Sequence, residues 1–429
     1  MSVSGSAILI RLRIEQVESE LRITADFPQQ GRGGFVFTEA SRVGDVLSFT
    51  SRSLGRYRGV VDAGGQRIDG EFVDGDQRRA LILHAGDAPI SAPMRPQTPR
   101  APFGYAIEAV SVEAPGGVRL AGTLTRPHRG LRATALLING SGALDRDETV
   151  FGHKPFWVLA DHLSRHGYAV LRLDDRGVGE SGGHRHGITL ADEADDLSAA
   201  LDYLHTHAAL RAAPIGLIGH SMGGALGQWL TARRDDVAFL VSLAGPGLRL
   251  GEVLAVREGE TLARMGTDAA AVARHVAFAR ALFRELAERA VDAPIDGEHV
   301  LQIALAHGAD ATAQANAADW IARYNEAWFR SALRYDPARC LGDIRAPVLA
   351  LNGARDVQVP ARANLDAIAQ ALAHHADFET DELDGLNHLF QTCTTGEAYE
   401  YPIIEETFAP LALERIRAWL DRRFAPRGE

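Results

Sequence analysis

The stretch GLIGHSMGGALG, residues 216–227, sets one serine between glycines: Gly219, His220, Ser221, Met222 and Gly223 spell G-x-S-x-G, directly after the apolar run PIGLI and ahead of a segment with helical period. A serine at such a strand-to-helix bend takes a strained backbone and projects its hydroxyl outward. Side chains two before and two after it would collide, which accounts for glycine at both places. The bend also places the hydroxyl at a helix N-terminus, whose unpaired N–H groups and dipole favour negative charge developing on a bound acyl oxygen. A turn that merely favours glycine spells the same letters but rarely lands in this setting. The chemistry implied is nucleophilic attack by Ser221.

A hydroxyl near neutral pH needs a base, so an acid and then a histidine are expected downstream, each following a strand. PVLALNGARDVQVP places Asp356 just beyond an apolar run, and ELDGLNHLF supplies His388 after the next strand. Of the sixteen histidines, His388 alone has the position that the order serine, acid, histidine demands. Asp384 competes for the acid role by proximity in sequence, but the loop after the earlier strand favours Asp356. Two backbone donors should hold the oxyanion: the N–H of Met222, next to the nucleophile, and that of Ser141 in LLINGSGALDRDE, with Gly142 as the alternative; Asn139 and Gly140 precede them, and small residues here let the backbone approach a substrate oxygen.

Other polar clusters read as structural. Asp145, Asp147 and Glu148 are interrupted by Arg146, so pairing that pins the loop is expected rather than a metal site. LDDRGVGESGG, with Asp174, Asp175 and Arg176 at its turn, lacks the G-x-x-x-x-G-K-[ST] pattern and meets a nucleotide with acids. His184 and His186, and the pair His374 and His375, lack the spacing of a zinc helix. No cofactor and no metal are expected.

The elements that would position these groups fall into four stretches. Residues 1–85 alternate in short runs such as AILIRLRIEQ, ELRITADF, DVLSFTSR and YRGVVDAGGQRIDGEFV, which predicts a small antiparallel β domain; 86–104 is a Pro-rich linker. Residues 105–247 and 344–429 predict a doubly wound α/β sheet. AIEAVSVEA and VRLAGTLTRP read as a hairpin, while TALLING, YAVLRLDD, PIGLIGHS, FLVSLAG and PVLALNG are apolar enough for parallel strands buried on both faces, with helical segments between them. Between them, 248–343 is Ala-, Arg- and Glu-rich with helical spacing and no strand-like run, the pattern of an inserted helical cap over the strand ends.

Composition narrows the partners. The formal net charge is -11, with 45 Lys+Arg against 56 Asp+Glu, and no long basic run favours nucleic acid or anionic lipid. A small-molecule substrate is expected. No apolar stretch is long enough for a membrane span. Cys340 and Cys393 are too few for a stapled framework and are expected as free thiols, though one bond between them is not forbidden. With no leader visible, the expected location is cytoplasmic; a periplasmic or secreted location follows only if a leader has been removed. The sequence assigns the N-terminal β domain no role and does not choose between packing beside the cap to narrow the pocket and forming a homodimer contact.

With GHSMG, DDRGVGES, NGSG and the Asp356 and His388 segments in view, the sequence resembles the α/β-hydrolase superfamily. More narrowly it is similar to bacterial esterases with a small N-terminal β domain, a GSG..DRDE loop, GHKPFWVLADHL, a helical cap and a terminal GLNHLFQTCTTG segment. The resemblance implies carboxylesterase activity on short to medium acyl esters, with Ser221, Asp356 and His388 as the triad. A dehalogenase would need a carboxylate at 221 and a dienelactone-type hydrolase typically carries cysteine there. About eighty N-terminal residues cannot supply an oligopeptidase propeller. Peptidase and thioesterase activity on the same triad stay open, and a non-catalytic ligand-binding protein on this scaffold is the reading from another class.

Overall fold

The computed structural model describes residues 2–3, 6–7, 11–17, 20–27, 32–51, 55–74, 77–86, 94–264, 266–290, 293–308 and 321–424. Two compact units divide the chain: Met1–Pro96 together with Tyr399–Glu405, and Gln97–Ala398 together with Glu406–Glu429. The division falls inside the Pro-rich stretch. That a short piece near the far end joins the first unit has no counterpart in the sequence pattern.

The first unit is antiparallel. Arg11–Val17, Glu20–Phe27 and Arg32–Val36 form one sheet, and Thr38–Val43, Val46–Ser51, Gly55–Val61, Arg67–Asp74 and Gln77–His84 form a five-stranded meander. Alternation along each strand sends Ile23, Leu47, Phe49, Tyr57, Phe72 and Leu81 into a shared core. The Tyr57 ring lies across Gly59 and Gly70, paired residues on adjacent strands, where a Cβ would meet its hydroxyl end, and the hydroxyl donates to the Leu81 carbonyl at 3.1 Å. Part of the run AILI, residues 8–10, lies outside the described residues.

The second unit is built on an eight-stranded sheet: β1 (Tyr105–Ala114), β2 (Val118–Pro127), β3 (Ala133–Ile138), β4 (Tyr168–Leu173), β5 (Ile215–His220), β6 (Leu240–Leu243), β7 (Val348–Gly353) and β8 (Phe378–Leu383), in the order β1-β2-β4-β3-β5-β6-β7-β8. The first two form the expected hairpin, β2 also runs antiparallel to β4, and β3 to β8 are parallel. Apolar residues fill both faces: Leu136 and Ile138 of β3 enter one core and Ala135 and Leu137 the other, and Val348 and Ala350 of β7 split from Leu349 and Leu351 in the same way. That is why these strands read as unbroken apolar runs rather than alternating ones.

Helices cover both faces. α1 (Pro155–Arg165), opened by a proline whose missing N–H costs nothing in a first turn, packs on one side through Leu159. α2 (Leu190–Thr206) starts at a capping box in which Thr189 and Asp192 exchange hydrogen bonds, and with α3 (Met222–Thr231) it covers the other side through Leu201 and Leu226. Between β6 and β7 come α4 (Leu250–Arg264), α5 (Ala269–Glu288), α6 (Gly297–Ala306), α7 (Ala327–Arg334) and α8 (Pro337–Asp343), with no strand among the described residues. Phe278, Leu282, Phe283, Phe329 and Leu333 give this insertion its own core. Cys340 and Leu341 of α8 instead pack with the sheet, so the last turns of the inserted stretch belong to the sheet layer. α9 (Ala361–Ala371) and α10 (Pro410–Arg423) complete the two layers through Ile368 and Trp419. Cys340, buried, and Cys393, half-buried, are not joined by a disulfide, and no helix is long and apolar enough to cross a membrane among the described residues.

Candidate active site

Parallel strands deliver their C-terminal ends to one sheet edge, and loops leaving β3, β4, β5, β7 and β8 there carry every candidate group. Ser221 follows β5 with φ 54° and ψ −121°, a backbone that a side chain rarely adopts, and α3 begins at the next residue. Its N–H donates to the Leu243 carbonyl at 2.8 Å, which anchors the bend to β6. A Cβ at Gly219 would strike the Gly223 carbonyl, as the collision argument expects. At Gly223 the obstacle is different: the backbone carbonyls of Ile138 and Asn139 at the end of β3. The two glycines thus let the bend close and let α3 approach the neighbouring strand. Gly219→Ala and Gly223→Ala are each expected to destabilise the protein by about 3 kcal/mol, because backbone cannot yield as a flexible side chain can. Chemical denaturation measures it, and an unchanged midpoint would remove the argument.

His388 Nδ1 donates to Asp356 Oδ2 at 2.7 Å, and both residues are buried. The second oxygen, Oδ1, accepts from the N–H groups of Gln358 and Val359 at 2.8 and 2.9 Å, so the carboxylate is fixed by its own loop. The Asn352 side chain donates to the Val359 carbonyl at 2.9 Å and steadies that loop from β7. Asn387 shapes the turn that carries His388: its Oδ1 accepts from the N–H groups of Leu389 and Gln391, both at 3.0 Å, while its own side-chain amide donates to Gln391 Oε1. Asp384 is exposed and has no bond to His388; of the two acids, Asp356 is the one hydrogen-bonded to the ring. Among the described residues the Ser221 hydroxyl makes no hydrogen bond; Asp356 and His388 are joined, and the link from His388 to the serine is open.

The loop after β3 presents exposed Ser141 and Gly142. Met222 is the first residue of α3, so its N–H has no acceptor within the helix. The acidic tract is pinned, though not by the arginine within it. Arg146 reaches Asp174 in the loop after β4, with Nη2 to Oδ2 at 2.6 Å and Nε to Oδ1 at 3.0 Å, and also Glu180. Burial works against the Asp174 carboxylate, yet Arg146 and two backbone N–H groups hold it below the usual carboxylate range. Asp147 pairs with Arg172 and Lys154, and Asp145 caps its own turn through Thr149. Glu148, with φ 53°, turns inward to His220. Its partner lies 72 positions away, a separation at which no sequence period could reveal it. No group of three metal-ligating side chains occurs among the described residues; His184, His186 and His374 are exposed, and His375 accepts from the Asp377 N–H at 3.0 Å.

Asp175, beside Asp174, accepts from the Asn139 side chain at 2.9 Å and the Leu144 N–H at 3.0 Å. Burial pushes its carboxyl up to about 7, against the pull of those two donors and of Arg185. An unfolded Asp ionises near 3.9. Between about pH 4 and about pH 7 the native protein therefore keeps a proton that the unfolded chain has lost, and the contribution of Asp175 to stability falls as pH rises. The melting temperature of Asp175→Asn, compared with that of the native protein, is expected to climb in relative terms across that window. A flat difference would contradict it.

The family described as the alpha/beta hydrolase fold matches residues 136–384, more than half of the chain. Among curated proteins none matches it. Among solved structures, an esterase of Pyrococcus furiosus is similar at 15% identity with a TM-score of 0.47, over 75% of this chain and 92% of that one. Est1E from Butyrivibrio proteoclasticus with ferulic acid bound is similar at 17% identity and a TM-score of 0.44, over 73% and 97%. Dienelactone hydrolase from Anabaena variabilis is similar at 15% and 0.40, over 75% and 100%.

Proposed function

The chain belongs to the α/β-hydrolase family, and from that premise we propose that it is a serine hydrolase that cleaves carboxylic esters of short to medium acyl chains through an acyl-enzyme intermediate. The observation that carries the reading is the buried Asp356–His388 pair at the same sheet edge as a strained, half-buried Ser221.

Ser221 Oγ attacks the ester carbonyl carbon while His388 Nε2 takes its proton; the link that the resting structure leaves open is made as substrate enters. Asp356 holds the ring in the tautomer with Nδ1 protonated and stabilises the imidazolium. The N–H groups of Met222 and Ser141 receive the oxyanion. His388 then protonates the leaving alcohol, and water activated by the same ring releases the acid. No step calls on a cofactor.

The helical insertion acts in this reading as a cap. Its α4 ends at Arg264, whose Nε donates to Glu397 at 3.0 Å, and Arg355, next to the triad acid, donates to the Thr394 carbonyl at 2.8 Å. Burial raises the Glu260 carboxyl of α4 above its ordinary value, with Arg264 opposing and the Asp356 charge adding to it. The acyl-chain range rests on the resemblance to bacterial esterases.

A fluorophosphonate probe tests the reading: it should label the native protein and leave Ser221→Ala unmarked. Absence of Ser221-dependent labelling would sink it. p-Nitrophenyl esters of rising chain length, run beside thioesters and aminoacyl amides, set the substrate class; amides turned over faster than esters would make the protein a peptidase.

A further inference from the structure

We propose that His220 and Glu148 form a positioning pair, a buried hydrogen-bonded link that ties the loop after β3 and the strand bearing Ser221 to the backbone of His388. The inference rests on the serine-hydrolase reading and deepens it. Glu148 Oε1 accepts both from the Gly140 N–H at 2.8 Å and from His220 Nδ1 at 2.8 Å, and the other ring nitrogen, Nε2, lies 2.9 Å from the His388 carbonyl oxygen. A carbonyl can only accept, so Nε2 carries a proton; an ionised carboxylate can only accept, so Nδ1 carries one too. With Glu148 ionised, both ring nitrogens donate and the pair is an imidazolium facing a carboxylate, with both residues buried.

The titratable groups facing the His220 ring are Glu148, His388 and Asp356. Burial opposes its charge, but the Glu148 charge and hydrogen bond, the His388 carbonyl and the Asp356 charge together hold the ring protonated above the ordinary histidine range. The three segments joined have no covalent reason to stay in register: Gly140 sits in the loop proposed to hold the oxyanion, His220 is the neighbour of the nucleophile, and His388 is the proposed base. The rings of His220 and His388 lie 4.7 Å apart between centroids, so a shift of one displaces the other. Non-glycine residues with positive φ recur in the same segments, at Glu148, Ser221 and Phe390. Strain of this kind persists only where surrounding bonds over-determine the backbone. Neither Glu148 nor His220 touches the reacting atoms; they act through where they put His388 and the loop.

The test uses the full chain, its His220→Gln and Glu148→Gln variants, and p-nitrophenyl acetate. Side-chain nitrogen–proton correlation spectra of the native protein should contain one imidazole that keeps both nitrogens protonated above the pH at which an ordinary histidine loses its proton, absent from His220→Gln. In both variants kcat should fall by about a hundredfold, the loss that a displacement near 1 Å brings, while KM changes by less than about threefold. The acid limb of kcat/KM should move to higher pH in His220→Gln, where a carboxylate that has lost its facing imidazolium favours protonated His388, and should not do so in Glu148→Gln. A merely structural role would not divide the two profiles. An imidazole at 220 that titrates as an ordinary histidine, or native kcat in both variants, would overturn the proposal. Should His220→Gln fail to fold, the native spectra and Glu148→Gln decide alone. A native protein whose Ser221 takes no fluorophosphonate overturns the catalytic role even with the pair intact in the spectra, which separates failure of the activity from failure of the pair.

Discussion

Asp356→Asn is expected to lower kcat/KM for a p-nitrophenyl ester by about 10^4-fold while the protein stays folded. The geometry gives the reason. Oδ1 is committed to the N–H groups of Gln358 and Val359, so an asparagine at 356 keeps its oxygen there and turns its amide toward His388 Nδ1. Donor would face donor. The ring escapes by moving its proton to Nε2, the atom that must accept from Ser221, and the base is lost without a change in shape. Steady-state kinetics with an unfolding curve on the same sample make the check. A loss of less than about tenfold would mean that the carboxylate does not set the tautomer, and the acid would have to be sought elsewhere.

The second large effect belongs to residue 221. Ser221→Ala removes the nucleophile and is expected to cost at least about 10^4-fold in kcat, the residual rate coming from binding and the oxyanion donors. Alanine still carries a Cβ and so inherits the backbone strain at φ 54°. Ser221→Gly should be equally inactive yet more stable than Ser221→Ala by about 1 kcal/mol, since glycine enters this region without steric cost. Denaturant titration of the two variants decides it. Equal midpoints would mean that the bend is not strained, and an active alanine variant would end the nucleophile assignment.

Much of the site could be read before any fold was known because its pieces obey local rules. Gly219 and Gly223 mark a bend that needs two residues without side chains, and the apolar runs before Ser221 and Asp356 mark strands buried on both faces. Asn139, Asn352 and Asn387 lie in segments that the sequence singled out, but their work in fixing loops depends on partners that only the folded chain brings near. Arg146 illustrates the limit. Its acidic neighbours suggested pairing within the tract, whereas the turn sends their side chains apart and Arg146 meets Asp174, 28 positions on.

The amino-acid order alone determined the alternation of strands and helices, the insertion between β6 and β7, the bend at Ser221 and the choice of edge on which the reactive groups gather. These follow from side-chain periodicity and steric exclusion between residues close in sequence, where chain connectivity already fixes geometry. Tertiary structure decided which charges meet, Glu148 with His220, Asp147 with Arg172 and Arg146 with Asp174, and it grouped residues 399–405 with the N-terminal unit. A buried charge takes whichever partner packing delivers within hydrogen-bonding distance, and desolvation makes that partner obligatory without leaving any periodic mark in the sequence.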